Sequence, residues 1–335
     1  MTIVLDAMGS DDYPDPEIQG AIDAAQLLDE EIILVGQQEL IEPKLNTLNT
    51  KKLPIRVHHA PDVMEMTDKP VESARKKPNN SMAVGLSLVK SGEAQAFVTA
   101  GNTGAALFNA LRILGRIKGV QRPALTALFP VYKGYCVVLD IGANADCRPD
   151  FLLQFGIMGS VYAEKVLNKS NPRVGLLSNG EEAGKGNQLI KESFPLLEQS
   201  GLNFIGNIEG KELFNGEADV AVTDGFTGNI LLKSSEAVAK MVATTLKEEL
   251  MSSFRTKMGA LLAKPALGAI KKMMDPTDIG AAPLLGIDGL VFVGHGRSNS
   301  KAITSALRVA HDAVQENLLD ALSMATQDRM SQLEN

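Results

Sequence analysis

The segment QAFVTAGNTGAALF (95–108) contains, in order, the three pieces from which an α/β fold is built. Its start is apolar and predicts a short buried strand, its centre is a glycine-containing turn, and its end resembles a helix. The segment ADVAVTDGFTGNILL (218–232) has the same order. Both turns match T-x-G-x-T-G, as TAGNTG (99–104) and TDGFTG (223–228). The start of a helix has unpaired backbone N–H groups, so both turns are candidate anion sites.

The alternation of strand and helix continues along the chain and predicts a mainly parallel sheet covered by helices. Two apolar runs joined by Tyr132-Lys133-Gly134 instead predict a hairpin and a local antiparallel patch. We therefore predict a three-layer α/β/α fold and one domain over residues 1–335, with a cleft between two lobes. The predicted strands are 2–6, 32–36, 55–59, 96–100, 135–142, 173–179, 204–207, 218–224 and 290–294, and the predicted helices are 17–29, 82–92, 103–117, 151–168, 184–200, 227–252 and 299–323.

The composition is that of an ordinary globular protein, with 44% hydrophobic and 22% charged residues in 335. The net charge of −7 argues against a nucleic-acid partner, because no basic excess is available to neutralise phosphates. Two cysteines, Cys136 and Cys147, make no disulfide framework and fit a reducing cytosol. The N-terminus lacks the features of a signal peptide, and no apolar run is long enough to span a membrane.

Polar, glycine-rich turns follow six of the predicted strands. Ligands of open α/β sheets bind beyond the carboxyl ends of strands, so we expect these turns to line a shared cleft. Any single turn has a plainer explanation, because short loops before helices favour Gly, Asn and Asp. The turns are DAMGSD (6–11), TAGNTG (99–104), DIGANADC (140–147), SNGEEAGKGN (178–187), TDGFTG (223–228) and GHGRSN (294–299). The candidate substrate-binding residues within these turns, or directly after one of them, are Asp6, Gly9, Asn102, Thr103, Gly104, Asn144, Asn187, Gly228 and Asn229.

Three charged or titratable residues of the turns are catalytic candidates. Lys185 lies between two glycines, where it is either a solvated lysine or an anion clamp. Asp224 either caps the following helix or acts on a proton in the cleft. His295 leaves an apolar strand directly into a glycine-rich turn, which favours a role in the site.

Known nucleotide and metal motifs do not match. GHGRSN lacks the third glycine of the dinucleotide fingerprint, and GEEAGKG (180–186) is one residue shorter than a P-loop. His58 and His59 are adjacent, so on a strand they point to opposite faces and cannot share a metal. We expect neither a metal nor an organic cofactor, and we do not favour a covalent cysteine mechanism.

One segment, FRTKMGALLAKPALGAIKKMMDP (254–276), combines apolar residues with lysines. Pro265 divides it into two short helices, so it predicts a helical hairpin. Such a hairpin suits the surface of an anionic membrane, but packing against a partner subunit or the core explains the pattern nearly as well. The candidate membrane-contacting residues are Leu261, Leu262, Leu267 and Ile270.

The chain closely resembles the phosphate acyltransferase family (acyl-ACP:phosphate acyltransferase, PlsX type). The resemblance covers nearly the whole chain and rests on the turns above together with NSM (80–82), FIGNIEG (204–210), DVAVTDGFTGNILLK (219–233), GAAPLLGIDG (280–289) and HGRS (295–298). Mild departures from the family pattern are Ser10, Asp12 and Asn80.

The resemblance implies transfer of a long-chain acyl group from acyl carrier protein to inorganic phosphate, an early step of bacterial phospholipid synthesis. It implies a fold similar to phosphotransacetylases and to isocitrate and isopropylmalate dehydrogenases, and a homodimer. It also implies that the hairpin is a membrane-associating element. The enzyme would then be cytoplasmic and partly associated with the inner face of the plasma membrane. A glycerol-3-phosphate acyltransferase would act downstream.

The chemistry of that reaction suggests a division of labour between the two T-x-G-x-T-G turns. Phosphate is already a nucleophile, so the site must position it and stabilise the tetrahedral oxyanion. We expect Asn102, Thr103 and Gly104 to hold phosphate, with Lys185 offsetting its charge. The second turn, with Asp224, Gly228 and Asn229, would line the thioester and pantetheine side, and His295 would protonate the departing thiolate.

Three other functions compete with this one. The first is a phosphotransacetylase-like enzyme that uses acyl-coenzyme A, and a more distant one is a hydride-transferring dehydrogenase. The third is a membrane-surface scaffold for phospholipid enzymes that has no catalytic activity of its own.

Overall fold

The computed structural model describes residues 1–48, 50, 52–132, 134–273, 277 and 280–333, without the side chains of 269–273 and 330–333. Over these ranges the chain has eleven strands and thirteen helices. The strands are β1 (Thr2–Asp6), β2 (Glu31–Gly36), β3 (Ile55–His59), β4 (Ala96–Thr99), β5 (Ala124–Val131), β6 (Gly134–Leu139), β7 (Val174–Leu177), β8 (Phe204–Ile208), β9 (Val220–Val222), β10 (Ala281–Leu285) and β11 (Leu290–Gly294). The helices are α1 (Asp15–Leu28), α2 (Gln38–Thr47), α3 (Pro70–Lys76), α4 (Ser81–Lys90), α5 (Thr103–Ile113), α6 (Pro149–Val166), α7 (Gln188–Glu198), α8 (Gly210–Asn215), α9 (Gly225–Met251), α10 (Phe254–Leu262), α11 (Lys264–Met273), α12 (Ser300–Gln315) and α13 (Leu318–Leu333).

All these strands belong to one sheet, in the order β3-β2-β1-β4-β11-β10-β5-β6-β9-β7-β8. On one side of the centre, β3, β2, β1, β4 and β11 are parallel, and on the other side β6, β9, β7 and β8 are parallel. Between them, β10 and β5 pair antiparallel with both of their neighbours. Three successive antiparallel pairings reverse the strand direction, so the two parallel sets point in opposite directions.

Helices cover both faces of the sheet. Along β1, Ile3 and Leu5 pack into one helix layer and Val4 into the other, the alternation expected for a strand buried on both faces. The first layer contains α1, α6, α7, α12 and α13. The second contains α4 and α5 over one half, and α8 with the start of α9 over the other. The three-layer α/β/α fold predicted from sequence is confirmed.

The predicted hairpin is present, because β5 and β6 pair antiparallel up to Val131 opposite Gly134; Lys133 itself lies outside the described residues. The sequence gives no strand signal at β10, whose AAPLL is short and contains a proline. The single helix predicted over 299–323 is wrong. It is divided at Asn317, whose positive φ of 51° ends the α12 path.

The segment after α9 forms two short helices on either side of Ala263, as predicted. Ser253 caps α10 through the Thr256 N–H, and Pro265 occupies the first turn of α11, where its missing N–H costs nothing. Leu261 and Leu262 are exposed by 62% and 82%, and Leu267 is half-buried. The side chain of Ile270 and residues 274–276 lie outside the described part. Over the described ranges, none of the helices combines the length and the apolar character needed to cross a bilayer.

Candidate active site

The reversal of strand direction divides the six turns into two groups. The first group follows β1, β4 and β11, which are neighbours in the sheet. The second follows β6, β7 and β9, which are neighbours in the other half. The turns therefore form two sets at opposite ends of the strands rather than one row. Helix α9 connects the sets, because it starts in the second group and reaches the β11 turn at Glu236, about 18 Å along its axis from Asp224.

A buried carboxylate holds the first group together. The Thr99 hydroxyl donates to Asp6 Oδ2 (2.7 Å), and the Met8 N–H donates to Asp6 Oδ1 (3.1 Å). Burial raises the pKa of Asp6, while the hydrogen bonds from Thr99, Ser81 and Met8 oppose this effect. Thr99 Oγ1 in turn accepts the Gly101 N–H (3.0 Å). Asp6 therefore joins the β1 turn to the β4 turn and lies behind the site as a structural group.

Two close backbone approaches complete the first group. A Cβ on Gly9 would lie 2.9 Å from the Gly101 nitrogen, so only glycine lets these turns touch. The Asp11 N–H donates to the Gly296 carbonyl (2.7 Å), which links the β1 turn to the β11 turn. The turns after β1, β4 and β11 thus form one continuous surface.

The side chain of Asn102 is fully engaged within the protein. Its Oδ1 caps α5 by accepting the Ala105 N–H (3.0 Å), and its Nδ2 donates to the carbonyls of Met66 and Asp68 (3.1 Å each). The predicted phosphate contact therefore rests on the backbone N–H groups at the start of α5 and on the exposed Thr103. Gly104 belongs to the same turn, and Pro70 packs against it so closely that a Cβ would lie 2.6 Å from its Cγ.

His295 faces charged residues of α9. Its Nε2 lies 3.8 Å from Glu236 Oε1, and Glu236 Oε2 lies 3.1 Å from the Lys233 ammonium. Partial desolvation lowers the pKa of His295, Glu236 raises it, and Lys233 and Arg297 lower it. Glu236 was not a candidate in the sequence, where it looks like an ordinary i,i+3 partner of Lys233.

Asp140 organises the second group and was also missed by the sequence. Its Oδ1 accepts N–H groups from Leu125, Gly142 and Ala143 (3.0–3.1 Å). Its Oδ2 accepts the backbone N–H (2.7 Å) and the side-chain Nδ2 (2.8 Å) of Asn144. The predicted site residue Asn144 thus orders the turn. A strand-end aspartate before Ile-Gly gave no signal that distinguishes this role from an ordinary turn residue.

The start of helix α9 packs against the turn after β6, which Asp140 organises. Asp224 caps it, since Oδ1 accepts the Thr227 N–H (2.8 Å) and Oδ2 the Thr227 hydroxyl (2.9 Å). The Gly225 N–H donates to the Asn144 carbonyl (2.8 Å). A Cβ on Gly228 would lie 1.9 Å from the Asp140 carbonyl oxygen. Asn229 is exposed next to Gly142, so it is the candidate of this turn whose side chain faces solvent.

Lys185 and Asn187 lie in the β7 turn, with the second group. Lys185 is exposed, and Asn187 caps α7 by accepting the Ile190 N–H (3.0 Å). In the sheet order, five strands separate β7 from β4, the strand that precedes Asn102. Among the described residues, none of the contacts joins Lys185 to the first group. The expected pairing of Lys185 with the Asn102–Gly104 turn is therefore not formed within this chain.

A cluster of three glutamates and the two cysteines are engaged or unreactive. Glu181, Glu209 and Glu212 gather closely enough to ligate an ion, but the Lys211 ammonium lies 2.8 Å from Glu181 and 3.3 Å from Glu212 and offsets their charge. Burial raises the pKa of both Cys136 and Cys147 to about 12, so neither is an activated nucleophile.

Comparisons with known proteins agree with this architecture. A phosphotransacetylase from Streptococcus pyogenes has a TM-score of 0.60 at 18% identity over 94% of each chain. A putative 4-hydroxythreonine-4-phosphate dehydrogenase from Salmonella typhimurium has a TM-score of 0.54 at 13% identity, over 93% of this chain and 99% of that one. At such identities these likenesses show the fold alone.

Sequence relatives are more specific. The family described as fatty acid synthesis protein matches residues 1–320. The phosphate acyltransferase of Pelotomaculum thermopropionicum is 47% identical over 320 residues, which cover 96% of this chain and 93% of the relative. The chain therefore belongs to the phosphate acyltransferase family and is an acyltransferase of lipid synthesis.

Proposed function

We propose that this enzyme transfers a fatty acyl group from acyl carrier protein to inorganic phosphate, forming acyl-phosphate for phosphatidic acid synthesis. The 47% identity to a phosphate acyltransferase over nearly the full length carries the proposal. The choice of acyl carrier protein as donor comes from the motifs that resemble the family. The reaction is assigned to residues 1–335 as one unit, because a single sheet runs through both groups of turns.

In this proposal the first group binds phosphate. The backbone N–H groups of Thr103 and Gly104 and the Thr103 hydroxyl face the anion at the positive end of α5. A phosphate oxygen attacks the thioester carbonyl carbon, the new C–O bond forms, and the C–S bond of the tetrahedral intermediate breaks. His295 passes the proton of hydrogen phosphate to the departing thiolate, so acyl-phosphate and the free thiol are the products.

The second group is proposed to bind the carrier side of the donor. Gly228 lets α9 start directly against the Asp140 turn, so the exposed Asn229 lies beside Gly142 of the turn that Asn144 orders. Lys185 is exposed at the neighbouring β7 turn and is assigned to the negatively charged phosphopantetheine rather than to inorganic phosphate. Asp224 is a positioning residue, since both of its oxygens cap α9.

We assign two exposed apolar surfaces to partners. The outward face of α9 includes Ile230, Val238 and Met241, each exposed by half or more, and is proposed to form a homodimer. The hairpin of α10 and α11 is proposed to contact anionic membrane through Leu261 and Leu262, beside Lys257 and Lys264. This contact would place a cytoplasmic enzyme partly at the inner face of the plasma membrane, near a downstream glycerol-3-phosphate acyltransferase.

The donor can be identified by direct comparison. The purified protein is incubated with labelled phosphate and either palmitoyl-acyl carrier protein or palmitoyl-coenzyme A. We expect label in acyl-phosphate mainly with the carrier-protein donor. Preference for the coenzyme A donor would support the phosphotransacetylase-like alternative, and absence of product with both would leave a scaffold role.

A further inference from the structure

Residues 63–70 form a short segment, called the strap from here on, that lies against the first group of turns. Its last residue, Pro70, packs on the start of α5, where a Cβ on Gly104 would lie 2.6 Å from Pro70 Cγ. Its Met66 side chain packs on the turn after β11, where a Cβ on Gly296 would lie 2.0 Å from Met66 Cε. The strap therefore contacts two of the three turns in this group.

The side chain of Asn102 joins the strap to α5. Its Nδ2 donates to the strap carbonyls of Met66 and Asp68 (3.1 Å each), and a longer contact reaches the carbonyl of Glu65 (3.4 Å). Its Oδ1 accepts the Ala105 N–H (3.0 Å) in the first turn of α5. One amide group therefore fixes the strap relative to the helix start that carries the N–H groups assigned to phosphate.

The carboxylate of Asp68 fixes the shape of the strap itself. Its Oδ2 accepts the Glu65 N–H (2.9 Å) and lies 2.6 Å from the Lys77 ammonium, and its Oδ1 accepts the Ser73 hydroxyl (3.1 Å). Lys77 Nζ also donates to the Val63 carbonyl (2.8 Å). The hydrogen bond from Lys77 holds the pKa of Asp68 below its usual value, so the carboxylate is charged at neutral pH. The side chains of this ion pair are exposed by only 20% and 32%, so solvent screens it less than a surface pair.

We propose that Asp68 is a positioning residue for the acceptor phosphate, which acts through the strap and Asn102. Asp68 holds the strap carbonyls in place, these carbonyls orient the Asn102 amide, and Asn102 Oδ1 orients the first turn of α5. Loosening the strap should therefore misorient the N–H donors of α5 without removing any of them. This inference rests on the proposed function for the identity of the anion, whereas the series of contacts is independent of it.

Amide hydrogen exchange tests the arrangement without any substrate. Asp68→Ala removes the carboxylate, whereas Asn102→Ser keeps a helix-capping oxygen and loses the amide that holds the strap. We expect exchange in peptides covering residues 63–77 to be roughly tenfold faster in both variants, because these amides then open locally. In Asp68→Ala we expect faster exchange at the Ala105 N–H as well. Unchanged exchange at the start of α5 in Asp68→Ala, or of the strap in Asn102→Ser, would overturn the proposal.

Asp219→Ala is the matched control for Asp68→Ala. Asp219 likewise accepts a backbone N–H (3.0 Å) and pairs with a basic side chain, Arg173 (2.9 Å), but it lies before β9 in the other half of the sheet. We expect this variant to lose stability while exchange in the strap and at the start of α5 stays at the wild-type rate. Faster exchange of the strap in this control would contradict the assignment to Asp68.

Steady-state kinetics test the consequence for phosphate. We expect Asp68→Ala to raise the phosphate KM roughly fivefold or more, because the N–H donors of α5 lose their orientation, while the KM of the acyl donor stays unchanged. Asp219→Ala should leave both KM values unchanged. A rise in both KM values of Asp68→Ala, or an equal rise of the phosphate KM in the control, would indicate a general structural defect and contradict the assignment. If the wild-type enzyme makes no acyl-phosphate, the proposed function fails while hydrogen exchange still decides whether Asp68 positions the start of α5.

Discussion

Glu17 is a buried carboxyl group behind the turn that follows β1. Its Oε1 accepts the Ser10 N–H (2.8 Å), and its Oε2 has no hydrogen-bond partner among the described residues. Burial raises the pKa of Glu17 to about 7, and the nearby Asp6 adds to this shift. The enzyme therefore keeps a proton on Glu17 under mildly acidic conditions, next to the β1 turn.

Glu17→Gln should make stability less dependent on pH. The ordinary pKa of glutamate is 4.5, so between 4.5 and 7 the unfolded chain ionises while the folded chain keeps its proton, and the fold loses stability as the pH rises. Glutamine removes that loss. We expect the free energy of unfolding to rise by up to about 3 kcal/mol at pH 8 and to stay unchanged at pH 4, in denaturant titrations. An equal effect at both pH values, or an effect from the exposed control Glu164→Gln, would contradict this.

Gly228→Ala should destabilise the protein strongly. The new Cβ would lie 1.9 Å from the Asp140 carbonyl oxygen, so the start of α9 has to shift away from the Asp140 turn. We expect a loss of at least about 2 kcal/mol in the free energy of unfolding. Gly259→Ala is the control, because it is also helical and its Cβ would meet no atom within 4 Å. A similar stability for the two variants would show that the close approach does not exist.

At the scale of single elements, α9 and the α10–α11 hairpin present separate apolar surfaces. The α9 surface includes Met241 and Val242, and the hairpin surface includes Leu261 and Leu262, all exposed by half or more. The two surfaces follow one another in the chain, which is also compatible with a single partner that contacts both. We assign the α9 surface to a homodimer contact and the hairpin surface to lipid. Mutations on each surface can therefore separate the two roles.

Charge substitutions should separate these roles. We expect Leu261→Glu with Leu262→Glu to abolish flotation with vesicles of anionic phospholipid, because insertion of these exposed leucines into the lipid and the attraction of the lysines both contribute to binding. The same variant should remain dimeric by light scattering. Met241→Glu should have the opposite effect, giving monomers that still float. Undiminished flotation of the leucine variant would refute the role of the hairpin.

Local features of these elements were predictable because their causes are local. The start of α5 follows from Thr99–Gly104, and the break between α10 and α11 follows from Pro265. The capping role of Asp224 was one of two sequence interpretations, and the structure uses both of its oxygens for it. The contact between Glu236 and His295 could not be predicted, because the two residues come from different elements and meet only in the folded sheet.

At the scale of the whole molecule, the strands β10 and β5 decide where the site lies. Each pairs antiparallel with both neighbours, so the sheet reverses direction and the two T-x-G-x-T-G turns fall at opposite ends of the strands. Strand periodicity predicts that strands exist but carries no information about which neighbours they take. Sequence alone therefore predicts one shared cleft for all six turns, whereas the fold divides them into two groups that α9 connects.

The most direct test of the account is whether the purified protein alone forms acyl-phosphate from palmitoyl-acyl carrier protein and labelled inorganic phosphate. Labelled acyl-phosphate is separated from free phosphate by chromatography, and free carrier-protein thiol is counted in parallel. We predict one labelled acyl-phosphate for each thiol released, with saturation in phosphate. Release of thiol without labelled product, or no turnover of the carrier-protein donor at all, would contradict the account.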